Sequence, residues 1–218
     1  MPPADPLKVV LGLEPVGWMM SPSERLAMIG LLATLRPGHS LELGCAEGGL
    51  TAWLSAYSGH VVTVDIDERV LRMTERFPNV EPLCTTTEEA VRRLEGERRT
   101  FDLTVIDADH SESGVRRDLE AALRFSRFII LHDTYYPPCR EGMEAVLDGR
   151  DVYRELDLVP GGLQPDGLWG GLGIVIPGLP RAAATHVTSR LSQFPSMRRR
   201  WLADQFRARA RRWLRSAG

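Results

Sequence analysis

The stretch S-L-E-L-G-C-A-E-G-G-L-T at residues 40–51 decides the fold. It begins as a short apolar strand, SLELG at 40–44, and breaks into a glycine-rich turn that feeds a helical stretch over 48–57. A strand, a tight glycine turn and a helix in succession open a βαβ unit. Outward from it, β-branched runs at 60–66, 80–84, 101–107 and 127–133 alternate with helical stretches near 68–76, 87–95 and 112–125. That alternation predicts an α/β, Rossmann-like doubly wound fold with a mostly parallel sheet. Upstream, Ser21-Pro22-Ser23-Glu24 reads as a capped helix start that runs to about Arg36 before Pro37-Gly38. Downstream of Asp133 the rhythm changes to a Tyr-Tyr-Pro-Pro loop, a helix near 140–148, a strand around 152–159 and a second at 172–177. The last two, separated by a Gly-rich turn, suit an antiparallel hairpin that completes seven strands.

At 218 residues, 43% hydrophobic and 26% charged, the chain has the length and composition to bury one core, and collagen-like, disordered and coiled-coil classes are excluded. We expect a domain over 1–180, whose first 38 residues lie over the acceptor site, and a separate basic segment over 181–218. Cys45, Cys84 and Cys139 lie far apart with no C-x-x-C, against both a disulfide scaffold and a cysteine zinc site. The first twenty residues lack a basic n-region and an unbroken apolar run, and no apolar run reaches about 18 residues, so the expected location is cytoplasmic. Net charge is −2, but Arg198 to Gly218 hold eight arginines against one aspartate, a basic tail on an acidic body. In that tail Leu202, Phe206, Ala210 and Trp213 fall on one helical stripe. Such a helix docks on its own domain, on a second copy to make a homodimer, on an anionic membrane or on nucleic acid. The acidic body and the lack of an N-P-P-[YF] motif disfavour nucleic acid as substrate.

In an open α/β sheet, ligands bind beyond the carboxyl ends of the strands. Those ends carry Glu42 and Gly44-Cys45-Ala46-Glu47-Gly48, then Asp65 and Asp67, then Asp107, Asp109 and His110, then His132 and Asp133. Glycines let backbone N–H groups approach a ligand, and an acid about 20 residues on is placed to accept from ribose hydroxyls. A nucleoside-containing cofactor is expected. A dinucleotide fingerprint wants G-x-G-x-x-G, yet position 46 is alanine, and Glu42 would repel a pyrophosphate while suiting a cationic amino-acid group.

E-L-G-C-A-E-G-G-L-T at 42–51 resembles motif I of the class I S-adenosylmethionine (SAM) dependent methyltransferases, E-x-G-x-x-x-G-x-[ST]. The resemblance runs over roughly 20–177. It implies SAM at the loop of Gly44, Cys45 and Gly48, with Glu42 and Asp65 as polar anchors, and V-T-V-D-I-D at 62–67 supplying Asp65 for the ribose. T-T-T-E-E-A-V-R-R-L at 85–94 looks like the segment flanking the adenine, which puts Thr87 and Glu88 near the base. F-D-L-T-V-I-D-A-D-H-S at 101–111 and F-I-I-L-H-D-T at 128–134 resemble the small O-methyltransferase branches that include the catechol, caffeoyl-CoA and macrocin enzymes. By that resemblance Asp107 touches the cofactor and, with His132 and Asp133, holds a divalent cation such as Mg2+ or Mn2+, while His110 is the catalytic base. The strand-five pair is usually Asp-Asn or Glu-Asp in those branches, and His132 departs from it. Imidazole is a poor Mg2+ ligand, which leaves the metal open.

Methyl transfer to oxygen needs a deprotonated acceptor held in line with the donor. A cation at the acids would acidify the acceptor hydroxyl, and an imidazole with a pKa near 6.5 would take its proton at neutral pH. Asp109 either orients that imidazole or caps the helix after Ser111. Trp18, Met19, Met20, Tyr135, Tyr136 and Trp169 are candidates for walls of an acceptor pocket or for the core. The reading is a SAM-dependent O-methyltransferase for a small-molecule hydroxyl, in a natural product or a sugar. A nicotinamide-dependent oxidoreductase is weakened by Ala46 and by the absence of Tyr-x-x-x-Lys, Lys8 being the one lysine. A non-catalytic binding protein that uses the basic tail is the third reading.

Overall fold

The computed structural model describes residues 17–147, 152–156, 162–164 and 167–178. The first helix, α1 (Pro22–Leu35), starts where its capping box dictates: Ser21 Oγ accepts from the Glu24 N–H at 3.3 Å, and Glu24 Oε2 accepts from the Ser21 N–H at 2.7 Å. It stops at Arg36, which turns left-handed at φ 41°. Strands β1 (His39–Leu43), β2 (His60–Asp65), β3 (Val80–Cys84), β4 (Leu103–Ile106) and β5 (Ile129–His132) follow the expected runs and pair in parallel in the order β3-β2-β1-β4-β5. Their carboxyl ends therefore share one edge.

Helices α2 (Gly49–Tyr57), α4 (Thr87–Gly96) and α5 (Glu112–Phe125) are the crossovers, the last two begun by hydroxyl caps from Thr86 and Ser111. The stretch expected as one helix near 68–76 is a 3-10 turn, Glu68–Arg72, running into a single α turn, α3 (Met73–Arg76). The Pro-Pro loop is corrected: α6 (Pro137–Leu147) starts on Pro137, because proline in a first turn forfeits an N–H that has no intrahelical partner anyway.

Beyond α6, β6 (Val152–Leu156) and β9 (Leu172–Ile176) pair antiparallel as expected, with β9 seated between β5 and β6 to complete seven strands. The segment read as a bare turn between them holds a separate two-stranded ladder, β7 (Gly162–Gln164) with β8 (Gly167–Trp169). The segment to residue 16 and the basic tail lie outside the described residues.

Alternation along the strands divides the core between the two faces of the sheet. Leu41, Leu43, Val62 and Val64 pack with Leu94, Leu119 and Phe125 on one face, while Val61, Val105 and Ile130 pack with Met28, Leu32, Trp53 and Leu54 on the other. Among the described residues no helix is long and apolar enough to cross a membrane.

Candidate active site

The turn after β1 is built around close approach. Gly44 sits at φ 89°, and a Cβ there would lie 2.1 Å from the Asp107 carbonyl oxygen, so only glycine lets β1 and β4 deliver their ends side by side. Ala46 is also left-handed, at φ 46°, where dinucleotide sites have glycine. Asp65, at the end of β2, supports that strained turn: Oδ2 accepts from the Cys45 and Ala46 N–H groups at 3.0 and 2.9 Å, and Oδ1 accepts from Asp67 N–H at 2.9 Å. One lone pair of Oδ1 is left for a ligand hydroxyl.

A cavity of about 590 Å3 opens on this turn. Of the residues expected to hold the cofactor, Gly44, Asp65, Thr87, Glu88 and Asp107 line it, and Glu42, Cys45 and Gly48 do not. Glu42 is fully buried beneath the turn, where Oε2 accepts from Thr51 and Thr63 hydroxyls at 2.6 Å each and Oε1 has no partner. Burial pushes its carboxyl up to about 7 against the two hydroxyls, which favour the anion. Cys45 contributes its backbone N–H; burial pushes its thiol up to about 12. Gly48 caps α2 in a left-handed turn against Met73. Two lining residues escaped the sequence analysis: Ile66, a 75% exposed apolar side chain, and Arg117 on α5.

At the ends of β4 and β5, four side chains converge. His110 Nε2 lies 2.9 Å from Asp133 Oδ2 and 3.5 Å from Asp107 Oδ1; His132 Nδ1 lies 2.9 Å from Asp107 Oδ1 and 3.3 Å from Asp133 Oδ2. Asp133 is left-handed at φ 55°, a strain held in place by the Gly170 N–H, which donates to its Oδ1 at 2.6 Å. The other side of the His132 ring meets a residue read only as a helix cap. Glu24, 1% exposed, puts Oε2 3.6 Å from His132 Nε2 while its Oε1 accepts from Gly171 N–H at 2.5 Å.

The two imidazoles and their carboxylates fix each other's charge. The carboxylates of Asp107 and Asp133 lift His110 to about 9. Burial opposes charge on His132, yet Asp107, Asp133 and Glu24 hold its proton well above the ordinary range. Asp133 is buried too, but His110 and His132 keep it well below the usual carboxylate range. As arranged here, His110 keeps its proton through neutral pH, unlike the imidazole of ordinary pKa expected from the sequence.

Asp107, His110 and Asp133 offer ligand atoms within 4.8 Å of one another. That grouping includes His110 and not His132, whose ring lies between Asp107 and Glu24. Asp109 caps: its Oδ1 accepts from Ser111 N–H at 3.0 Å, and its other oxygen faces Arg117 at 3.7 Å.

A second cavity, about 600 Å3, lies on the other side of the cluster. Trp18, Met19, Met20 and Trp169 line it. Tyr136 stands behind, its ring stacked on Trp169 at 4.1 Å, and Tyr135 is buried outside the lining. Arg25 of α1 ties the Trp18–Met20 segment down by donating to the carbonyls of Met20 and Trp18. The two cavities share Ala46, Asp107 and His110.

Residues 41–134 match the model of a family described as a methyltransferase domain, a span that runs from β1 through the His132-Asp133 pair. An O-methyltransferase from Bacillus cereus in complex with S-adenosylhomocysteine (SAH) superposes with a TM-score of 0.59 at 23% identity, over 81% of this chain and 93% of that one. The N-methyltransferase NodS from Bradyrhizobium japonicum, also with SAH, gives 0.53 at 17%, over 72% and 87%. An rRNA methylase from Streptococcus thermophilus gives 0.53 at 14%, over 74% and 99%. Such identities fix the fold and leave the acceptor open. No match was found among curated proteins.

Proposed function

We propose that this chain is a class I SAM-dependent methyltransferase that methylates a hydroxyl oxygen of a small molecule with the help of a divalent cation, a reading supported by the methyltransferase-domain match over residues 41–134. One observation carries the reading: two cavities of nucleoside and small-molecule size meet at Ala46, Asp107 and His110. The first fits a nucleoside, with Asp65 for ribose hydroxyls, Ile66 as an apolar face for a flat ring and the Gly44 turn for close backbone approach. SAM, when bound there, supplies a methyl group on a sulfonium.

The cluster fits a cation by its donor set, two carboxylates and an imidazole that already bring ligand atoms together. Asp107 and Asp133 would hold it, and the positive charge would stabilise an acceptor oxygen as its anion. The remaining work falls to the chain. Trp18, Met20 and Trp169 exclude water and orient the acceptor against the shared wall. His110, on that wall, receives the acceptor's proton when the negative charge of the two aspartates is offset, and hands it to solvent through the open cavity. Its Nε2 serves as ligand or proton acceptor, one at a time. Its place between the cavities favours the second role, with Asp107 and Asp133 the minimal cation ligands.

Calorimetry with SAH and with NADH tests the donor: SAH should bind and NADH should not. With an acceptor in hand, exhaustive EDTA treatment should abolish turnover and added Mn2+ or Mg2+ restore it. Full turnover after chelation would leave Asp107 and Asp133 to act through the two imidazoles alone.

A further inference from the structure

The base-facing end of the first cavity contains a polar device that neither the family resemblance nor the reaction calls for. Helix α5 turns Val115, Leu119, Ala122 and Phe125 into the core, and Asp118 sits on that same face with no exposure at all. Stability alone would put an apolar side chain there, since an enclosed carboxylate loses its hydration. What Asp118 does is hold two groups of the cavity wall. Its Oδ1 accepts from the Thr87 hydroxyl at 2.9 Å and from Arg117 Nε at 3.2 Å. Arg117 Nη2 in turn donates to Thr87 Oγ1 at 3.1 Å and faces Asp109 at 3.7 Å. The guanidinium is therefore clamped in one plane at the wall, and Nη1 has no partner among the described residues.

The other polar side chains at this end are engaged within the wall. Thr85 donates its hydroxyl to Glu89; Thr86 uses its own to cap α4 and to reach Glu89 at 3.4 Å. Thr87 both donates and accepts within the clamp, and Glu88 pairs with Arg92 at 2.8 Å. An adenine ring in this cavity has ring nitrogens that only accept hydrogen bonds, so it needs a donor from the wall. Among the described side chains at this end, Arg117 Nη1 is the uncommitted donor, in a lining that also holds the apolar Ile66.

We infer that Arg117, held in plane by Asp118 and Thr87, is the residue that reads the purine base of the methyl donor. The inference rests on the donor reading and deepens it by naming the group that selects the base. Thr87, expected near the base, is then a positioning residue whose hydroxyl steers the guanidinium.

Calorimetric dissociation constants for SAH, and for adenosine in competition with SAH, test this on the wild type, Arg117→Ala and Arg117→Lys. A charge-assisted hydrogen bond at a half-buried wall predicts about tenfold weaker binding of both ligands to Arg117→Ala. Arg117→Lys, which keeps the charge and the stem but lacks the planar fork, should recover only part of it and guards against a fold defect in the alanine variant. Binding of both ligands to Arg117→Ala within about twofold of wild type would overturn the assignment. So would a loss for SAH with adenosine unchanged, which would place the contact on the amino-acid end. Failure of SAH to bind the wild type would overturn the donor reading and this inference with it.

Discussion

The two halves of the sheet's carboxyl edge treat their acids in opposite ways. At the end of β2, Asp65 is tied by three backbone N–H groups, which are neutral and fixed in place by the turn they belong to. At the ends of β4 and β5, Asp107 and Asp133 are tied by two imidazoles, whose protons can leave. The first half is a rigid socket that holds its shape whatever the ligand's charge. The second is a cluster of exchangeable charge, where under the proposed function a proton, a cation and an acceptor oxygen would compete for the same carboxylate atoms. The proposed reaction needs both, since donor binding calls for preorganisation and acceptor activation calls for movement of a proton.

The largest effect that would break this division is kinetic. His110→Ala should lower turnover by about 100-fold to 10,000-fold, the usual cost of removing a general base, with SAH affinity within about threefold of wild type. Steady-state rates beside calorimetry decide it. If affinity for SAH falls as far as the rate does, His110 belongs to the socket and the division is wrong.

A second effect sharpens the account of the rigid half. Glu42 has a folded pKa of about 7 against an ordinary 4.5, so the folded state binds the proton more tightly than the unfolded chain. Its contribution to stability is complete below about pH 4.5 and is lost as pH rises to about 7, a change on the order of 3 kcal/mol. Glu42→Gln cannot ionise. Its unfolding free energy relative to wild type should therefore grow by roughly that amount between about pH 4 and about pH 8, in urea titrations. A constant difference across that range would mean Glu42 is ionised in the fold at no cost, and that its unpartnered oxygen is satisfied by water.

How much of this the sequence disclosed follows from how local each signal is. The strands, the capped start of α1 and the Gly44 turn are written in neighbouring residues, and so is the spacing from Asp107 to His110. The Pro137-Pro138 start of α6 was hidden because the same dipeptide serves loops and first turns alike. Glu24 was hidden by its own success as a capping-box residue: the pattern accounts for it locally, whereas its contact to Gly171 spans 147 positions. Arg117 reads like its neighbour Arg116, and only the buried Asp118 beside it distinguishes them, a carboxylate on an apolar helical face. That mismatch was legible in the periodicity of α5. The burial of the His132 ring against Glu24 was not, because it depends on how the β5 end packs against α1.

Calorimetry of SAH binding to Asp65→Ala and Asp133→Asn, measured side by side with wild type, tests the division of labour most directly. The account predicts that Asp65→Ala weakens binding by about 1 to 3 kcal/mol, because the variant loses the ribose acceptor and the backbone bonds that shape the turn. Asp133→Asn should bind SAH within about twofold of wild type, since that aspartate lines the second cavity and not the first. The opposite pattern, Asp133→Asn impaired and Asp65→Ala unaffected, would place the donor against the imidazole cluster and contradict the account.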